Sequence, residues 1–483
     1  MARTANAGES AVGSVPPAPP SLGLKIAHGF GSSALGIKEG GFNYFLLLFY
    51  GTVVGLEPGL VGLSILIALV FDAISDPIVG YWSDNFRSRF GRRHPFMYAS
   101  AIPVGLSYFL LWNPPDWSQM GLFLYLTFLA IGIRTFITLY ETPSSALLPE
   151  LSRDYEERTS IQSFRIFFGW ASGNLMSVLL FGVLLAGPLG MQDRNGFETY
   201  GIIASGVIFA AIIISSMATH HRIPTLTKPP RATEPFGFAR IMREMFEVLS
   251  ERSFIVLFIA TVVFSIAVGL NTSLAFLMLK HFWGLSEYQI FIWTSTVFLS
   301  AGLALFLAPK VGRKLGKKKA ALLLGFFAFT IQPTPYLLRL VDLMPENGDP
   351  ILFPLLVIVN TVDLALIIAV QMLSYAMTAD LVESNQLRTG RRNEGVYYAA
   401  MTFTRKTTQG LGVLAAGLIL SGIAFPQGED LANVPEETLW NLGAAYAPSL
   451  LVLYLVALFC LSRYKIDKAQ HEANLAALSK QSE

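Results

Sequence analysis

Apolar residues in this chain gather in long blocks instead of alternating with polar ones. Crossing a bilayer takes a helix of about 20 mostly apolar residues. On that measure spans fall near 22–50, 59–82, 95–113, 119–149, 161–188 and 199–219. A polar stretch over 220–252 interrupts, and further spans follow near 253–281, 287–309, 319–340, 350–382, 394–424 and 442–463. No run shows the two-residue alternation of a membrane β-barrel. The pattern predicts an all-α membrane protein of twelve helices in two sets of six, 22–219 and 253–463. The 220–252 segment reads as a linker, with tails over 1–21 and 464–483.

Loop charge sets the expected orientation. Basic residues follow the even-numbered spans: Arg87, Arg89, Arg92 and Arg93, then Arg153 and Arg158, then Arg222, Lys228, Arg231, Arg240 and Arg243 in the linker. The second half continues with Lys310, Arg313, Lys314 and Lys317 to Lys319, then Arg388, Arg391 and Arg392, then Arg463, Lys465 and Lys468. The opposite loops carry Glu57, Asp116, Asp342, Glu346, Asp349, Glu429 and Asp430. Because basic loops stay inside, both termini and the linker are expected in the cytoplasm. Only 14% of residues are charged, against roughly 25% in a soluble domain. The net charge of +2, without a basic-aromatic patch, points away from nucleic acid. The single Cys460 rules out an intrachain disulfide and a thiolate metal site. Residues 1–20, rich in Ala, Gly, Ser and Pro, read as a disordered tail and not as a signal peptide.

Candidate chemistry concentrates in the second span, at Phe71-Asp-Ala-Ile-Ser-Asp-Pro-Ile-Val-Gly80. An acid at the centre of a membrane helix costs about 2.5–3.5 kcal/mol on insertion scales, so such acids are rare and usually functional. Asp72 and Asp76 are four apart and share a helix face, with Cβ atoms roughly 6 Å apart. Two carboxylates so close in a poor dielectric need a cation between them, or one must keep its proton. Oxygen ligands of this kind suit Na⁺, Li⁺ or a proton. The alternative is that both acids only hydrogen-bond neighbouring helices, an expensive way to make a contact.

The same loop recurs in each half. Gly80-Tyr-Trp-Ser-Asp84 leads to Arg89-Phe-Gly91-Arg92-Arg93, and Val311-Gly312-Arg313-Lys314-Leu315-Gly316 leads to three lysines. Parallel six-helix repeats are the architecture of major facilitator transporters, with a substrate site between the halves. With these motifs, Tyr140-Glu-Thr-Pro143, the 156–165 approach to the fifth helix and the stretch from Ala379-Asp380 to Lys406, the chain resembles a known family. That family is the glycoside–pentoside–hexuronide cation symporters, the melibiose-permease family of the major facilitator superfamily. The resemblance covers about residues 24–465 and extends to plant sucrose carriers and vertebrate lysolipid transporters.

The resemblance implies roles. It places the coupling cation, Na⁺ or H⁺, on Asp72 and Asp76, with Ser75 between them and a hydroxyl ligand at Thr138. It places the sugar-binding acid on Glu141, on a fourth-helix face shared with Arg134, Thr138 and Ser145, and the substrate-facing arginine on Arg165. Arg165 also fits a cytoplasmic anchor. Lys406 matches a membrane-embedded lysine of sugar and lysolipid members, and Asn174 and Gln371 are further candidates for the cavity wall. Asp84, Arg89, Arg92 and Arg93 are expected at a cytoplasmic gate, with Asp154, Glu156 or Glu157 as partners. Two features depart from the melibiose carriers. The first helix has no aspartate, only Lys38 and Glu39, which point about 100° apart and so are not expected to pair with each other. Ser145 stands where an aromatic would stack on the sugar.

These residues lead to a secondary active transporter that rocks its halves about a central cavity, carrying a sugar or glycoside with a cation. The alternative is a carrier of an amphiphile such as a lysolipid, or of another small solute. No enzyme is expected: the six histidines show no metal-ligand spacing, and neither a nucleophile elbow nor a phosphate-cradling loop occurs. The expected setting is a bacterial inner membrane and the expected state a monomer. Beyond the bilayer, the solute and the cation are the expected partners, with no cofactor and no metal other than Na⁺.

Overall fold

The computed structural model describes residues 20–152, 155–225, 252–389, 394–426 and 434–463, with the side chains of 378–407 and of a few helical positions left out. Most of both tails and of the linker, with Asp154 and the side chains of Asp84, Glu156, Asp380 and Lys406, therefore lie outside the described residues.

Helices follow one another, with no strand among the described residues. α1 is a chain of segments, Leu22–Phe30, Ser33–Gly40, a π-helical Gly41–Phe45, Leu46–Leu48 and a second π-helical Phe49–Val54. Next come α2 (Pro58–Asn85), α3 (His94–Leu111), α4 (Gln119–Leu151), α5 (Tyr155–Leu179, extended by a π turn) and α6 (Arg194–His220). The second half holds α7 (Arg252–Leu277, with a π turn), α8 (Glu287–Leu315), α9 (Lys317–Ile331, continued by Thr334–Leu340), α10 (Leu352–Thr389), α11 (Glu394–Gly422) and α12 (Glu436–Ser462). Nine of these, among the described residues, are long and apolar enough to cross a membrane. Large apolar side chains face outward, such as Phe128 at 77% and Phe306 at 79% exposure, a surface suited to lipid and not to water.

The sequence marks the helix starts locally. Glu57 accepts from the N–H groups of Gly59 and Leu60 to open α2, and Ser118 accepts from Gly121 to open α4. Ser286 and Gln289 form a capping box at α8, satisfying two donors the first turn would leave unpaired. In the α8–α9 connection Gly316 alone turns the chain, at φ 78°, where a Cβ would be strained.

The two halves repeat one packing plan. α1 packs on α5 and α6, α2 on α4, and α3 on α4 and α6; likewise α7 packs on α11 and α12, α8 on α10, and α9 on α10 and α12. The repeat extends to backbone contact. A Cβ at Gly36 of α1 would collide with the Gly169 carbonyl of α5, and one at Gly269 of α7 with the Gln409 carbonyl of α11. Small residues let membrane helices approach this closely where lipid offers no hydrophobic drive.

Between the halves, α2 packs along α11, and the end of α5 along α8. Gly62 faces Leu414, Gly417 faces Pro58, Gly182 faces Phe291, and Gly190 faces Glu287. The Ser421 hydroxyl donates to Glu57, and Gly59 N–H donates to Ser421 Oγ at 3.1 Å. Phe45 and Phe181 meet Phe276 across the same seam, at 5.6 and 4.3 Å between centroids. These contacts join the halves toward the ends far from the chain termini.

Candidate functional site

Asp72 is 1% exposed, in the middle of α2. Four residues on, Asp76 presents its carboxylate on the same side, where α4 crosses. Thr138 of α4 bridges the pair: its Oγ1 lies 3.1 Å from Asp72 Oδ1 and 2.8 Å from Asp76 Oδ1. Arg134, one helical turn earlier on α4, places Nη1 3.3 Å from Asp72 Oδ2. Its guanidinium also sits over the Phe42 ring of α1, 4.7 Å from the centroid, a contact that favours a cation in a dry setting. One hydroxyl, one guanidinium and two carboxylates thus converge on one point. Two carboxylates and a hydroxyl on one side of a single guanidinium supply the oxygen donors that a monovalent cation takes. Ser75, expected beside the cation, instead donates to the Asp72 backbone carbonyl at 3.1 Å.

The expected substrate residues divide. Arg134 belongs to the acid pair and not to an open cavity face. Arg165 is 8% exposed and binds Ser145 Oγ at 2.7 Å and Ser32 Oγ at 3.4 Å, tying α5 to α4 and α1. Glu141, half-buried on α4, is close enough to Arg165 for their charges to interact. Lys38 and Glu39, expected not to pair, do: Lys38 Nζ lies 2.5 Å from Glu39 Oε1. The Cβ directions diverge as expected, but the long lysine stem bends back to its neighbour. Asn43, on the π turn, donates to Glu39 Oε2 at 3.2 Å.

Near the chain termini, Arg92 and Arg93 bind Glu150, and Arg93 also donates to the Ala146 carbonyl. Glu157, one of the partners expected for them, instead pairs with Lys25 at 2.7 Å. The reason is the length of α4, which runs on to Leu151 and brings Glu150 to the α2–α3 loop. The Glu150 contact of both arginines lies within one half. Arg89 lies over Phe90 at 4.7 Å.

A cavity of about 150 Å³ opens between the halves. Tyr44, Asn174 and Ser177 line it from the first half, so Asn174 is a wall residue as expected. Gln371 is exposed and does not contribute. The opposite wall contains an acid absent from the sequence-derived candidates, Asp363 of α10, only 5% exposed. The signal was available, since Asp363 lies inside an apolar span just as Asp72 does, but it has no second acid one turn away.

The family described as MFS/sugar transport protein matches residues 27–468. An uncharacterized symporter of Synechocystis sp. is 26% identical, over 92% of this chain and 94% of that one. The isoprimeverose transporter of Lactiplantibacillus pentosus is 23% identical, over 88% and 85% of the two chains. The sodium-dependent lysophosphatidylcholine symporter 1 of Gallus gallus is 24% identical, over 95% and 89%. Among solved structures, an inward-open xylose transporter from E. coli shares the fold, with TM-score 0.59 and 14% identity over 94% of this chain and 99% of that one.

Proposed function

Because this chain belongs to the family of MFS/sugar transport proteins, we propose that it moves a sugar or glycoside across a membrane together with one Na⁺ or H⁺. The transporter rather than enzyme character follows from the family; the cargo and the ion are the proposal. The observation that carries it is the cluster of Asp72, Asp76, Thr138 and Arg134, where two carboxylates, a hydroxyl and a guanidinium converge between α2 and α4. A monovalent cation there neutralises the acids and fixes α2 against α4. Since Glu141 and Ser145 ride on the same α4, ordering that helix strengthens solute binding, and solute strengthens ion binding by the same factor. Carrying one charge inward yields about 2.3 kcal/mol per 100 mV. The halves then rock about the central cavity, with the seam of α2 against α11 as one of the two closed arrangements. Residues 22–219 and 253–463 act as the moving bodies.

The test is uptake into proteoliposomes of isoprimeverose, D-xylose and methyl glucosides, with an inward Na⁺ gradient, an inward H⁺ gradient or neither. Gradient-dependent uptake that Asp72→Asn with Asp76→Asn abolishes is the expected result; uptake indifferent to both gradients or to the double variant overturns it. A lysolipid carrier is the second reading, favoured by similarity to the chicken lysophosphatidylcholine symporter along 95% of this chain. Competition by lysophosphatidylcholine at concentrations below its micelle point would select it.

A further inference from the structure

The cavity between the halves and the α2–α4 acid cluster are built from different residues. Among the described residues none of α2 or α4 lines the cavity, so a second set of polar groups remains without a role. We propose that this cavity is a sugar subsite of the second half, with Asp363 as its hydrogen-bonding anchor. The assignment rests on the sugar reading above and says where such a solute is held.

Three observations support it. First, Asp363 Oδ1 receives no hydrogen bond from any described residue, and neither does the nearby Gln332 Oε1 of α9. Buried polar atoms are nearly always paired in a folded protein, so two unpaired acceptors in one cavity mark a place for donors. Second, the wall also offers donors. Tyr446 donates to Asn271 Oδ1 at 2.6 Å, which leaves the Asn271 amide N–H groups uncommitted among the described residues. Asn360, one turn before Asp363, is held by its own bond to Thr296 at 2.9 Å. Third, Trp283, Trp293 and Tyr336 stand in the same wall. Acceptors, donors and ring faces together match a pyranose, whose hydroxyls both give and take hydrogen bonds and whose C–H face lies on aromatic rings. Among the described lining residues none is cationic, so the carboxylate is not already committed to an ion pair. Tyr44, Asn174 and Ser177 complete the cavity from the first half, so a bound solute touches both moving bodies.

The experiment titrates the purified full chain with isoprimeverose, D-xylose and methyl β-D-glucoside, reading the change in intrinsic tryptophan fluorescence, to which Trp283 and Trp293 of the cavity wall contribute. Choline and lysophosphatidylcholine are the comparison probes. The expected result is that at least one sugar binds the unaltered chain and that Asp363→Asn weakens it tenfold or more with the melting temperature unchanged. Gln332→Leu is expected to weaken the same sugar at least threefold. It serves as the decisive variant if Asp363→Asn does not fold. Equal sugar affinity in both variants overturns the subsite and leaves the sugar reading standing. If none of the sugars binds the unaltered chain, the sugar reading falls and the subsite with it, and a response to choline or to lysophosphatidylcholine then names the cargo class instead.

Discussion

Arg134 Nη1 lies 3.3 Å from Asp72 Oδ2, and both side chains are 1% exposed. An ion pair so deep is costly to break from one side, because the surviving charge stays in a poor dielectric. Truncating one partner of a buried pair costs about 3–5 kcal/mol. Arg134→Gln is therefore expected to lower the melting temperature strongly in choline buffer. The variant removes the positive charge beside Asp72, so Na⁺ or Li⁺ should recover part of the loss, and more of it than either ion adds to the unaltered chain. Thermal unfolding in the three chlorides checks this; equal stabilisation of both chains by Na⁺ would remove Arg134 from the ion site.

Thr138 supplies one hydroxyl to two carboxylates, at 3.1 and 2.8 Å. A hydrogen bond to a charged group contributes about 1.5–3 kcal/mol, and loss of this donor leaves both acids less well held. Thr138→Ala should raise the concentration of coupling ion needed for half-maximal uptake by roughly tenfold or more, since 1.4 kcal/mol is a factor of ten. Thr138→Ser keeps the hydroxyl and should stay within a few-fold of the unaltered chain. Ion titrations of uptake decide between them.

Glu150 holds Arg92 and Arg93 against the end of α4. Because that contact stays inside one half, it braces the half rather than locking it to the other. Glu150→Gln removes a charge that both guanidinium groups share and is expected to lower the melting temperature by several degrees, with less loss in Glu150→Asp. Uptake measured well below the transition should change little. Loss of uptake with an unshifted melting temperature would instead assign the cluster to gating.

The fold was legible because most of its helices are written as apolar blocks, and the acid pair because two carboxylates in such a block break the composition rule. The bridge between them was legible only through resemblance, since Thr138 lies 62 positions from Asp76 and no local pattern links the two. Arg134 shares a face of α4 with Thr138, as the spacing implies, but that this face meets Asp72 and not a cavity depends on helix rotation, which periodicity does not fix. Lys38 and Glu39 pair for a different reason: periodicity gives the direction of each Cβ but not the reach of a long side chain. The partner of Arg92 and Arg93 turned on the two residues by which α4 outruns its apolar block. Asp363 had no paired acid to draw attention, and its place in the cavity needs α7, α9 and α12 assembled around it.

The seam between α2 and α11 is set by glycine. A Cβ at Gly417 would collide with the Pro58 carbonyl, whereas one at Gly422, further along the same helix, meets nothing within 4 Å. Overfilling such a contact costs about 1–3 kcal/mol, and that cost falls only on the arrangement in which the seam is closed. Gly417→Leu is therefore expected to shift the two-state balance toward the arrangement open at the face far from the termini, by roughly 5- to 150-fold. Thr272, in the cavity wall, provides the reporter once Cys460 is changed to Ser. A membrane-impermeant maleimide added at that face should label Thr272→Cys faster by the same factor in the Gly417→Leu background. Gly422→Leu should leave labelling unchanged, because its added side chain has open space around it. Equal labelling rates in both backgrounds would mean that the seam yields by local repacking, and that α2 and α11 do not part there when the halves move.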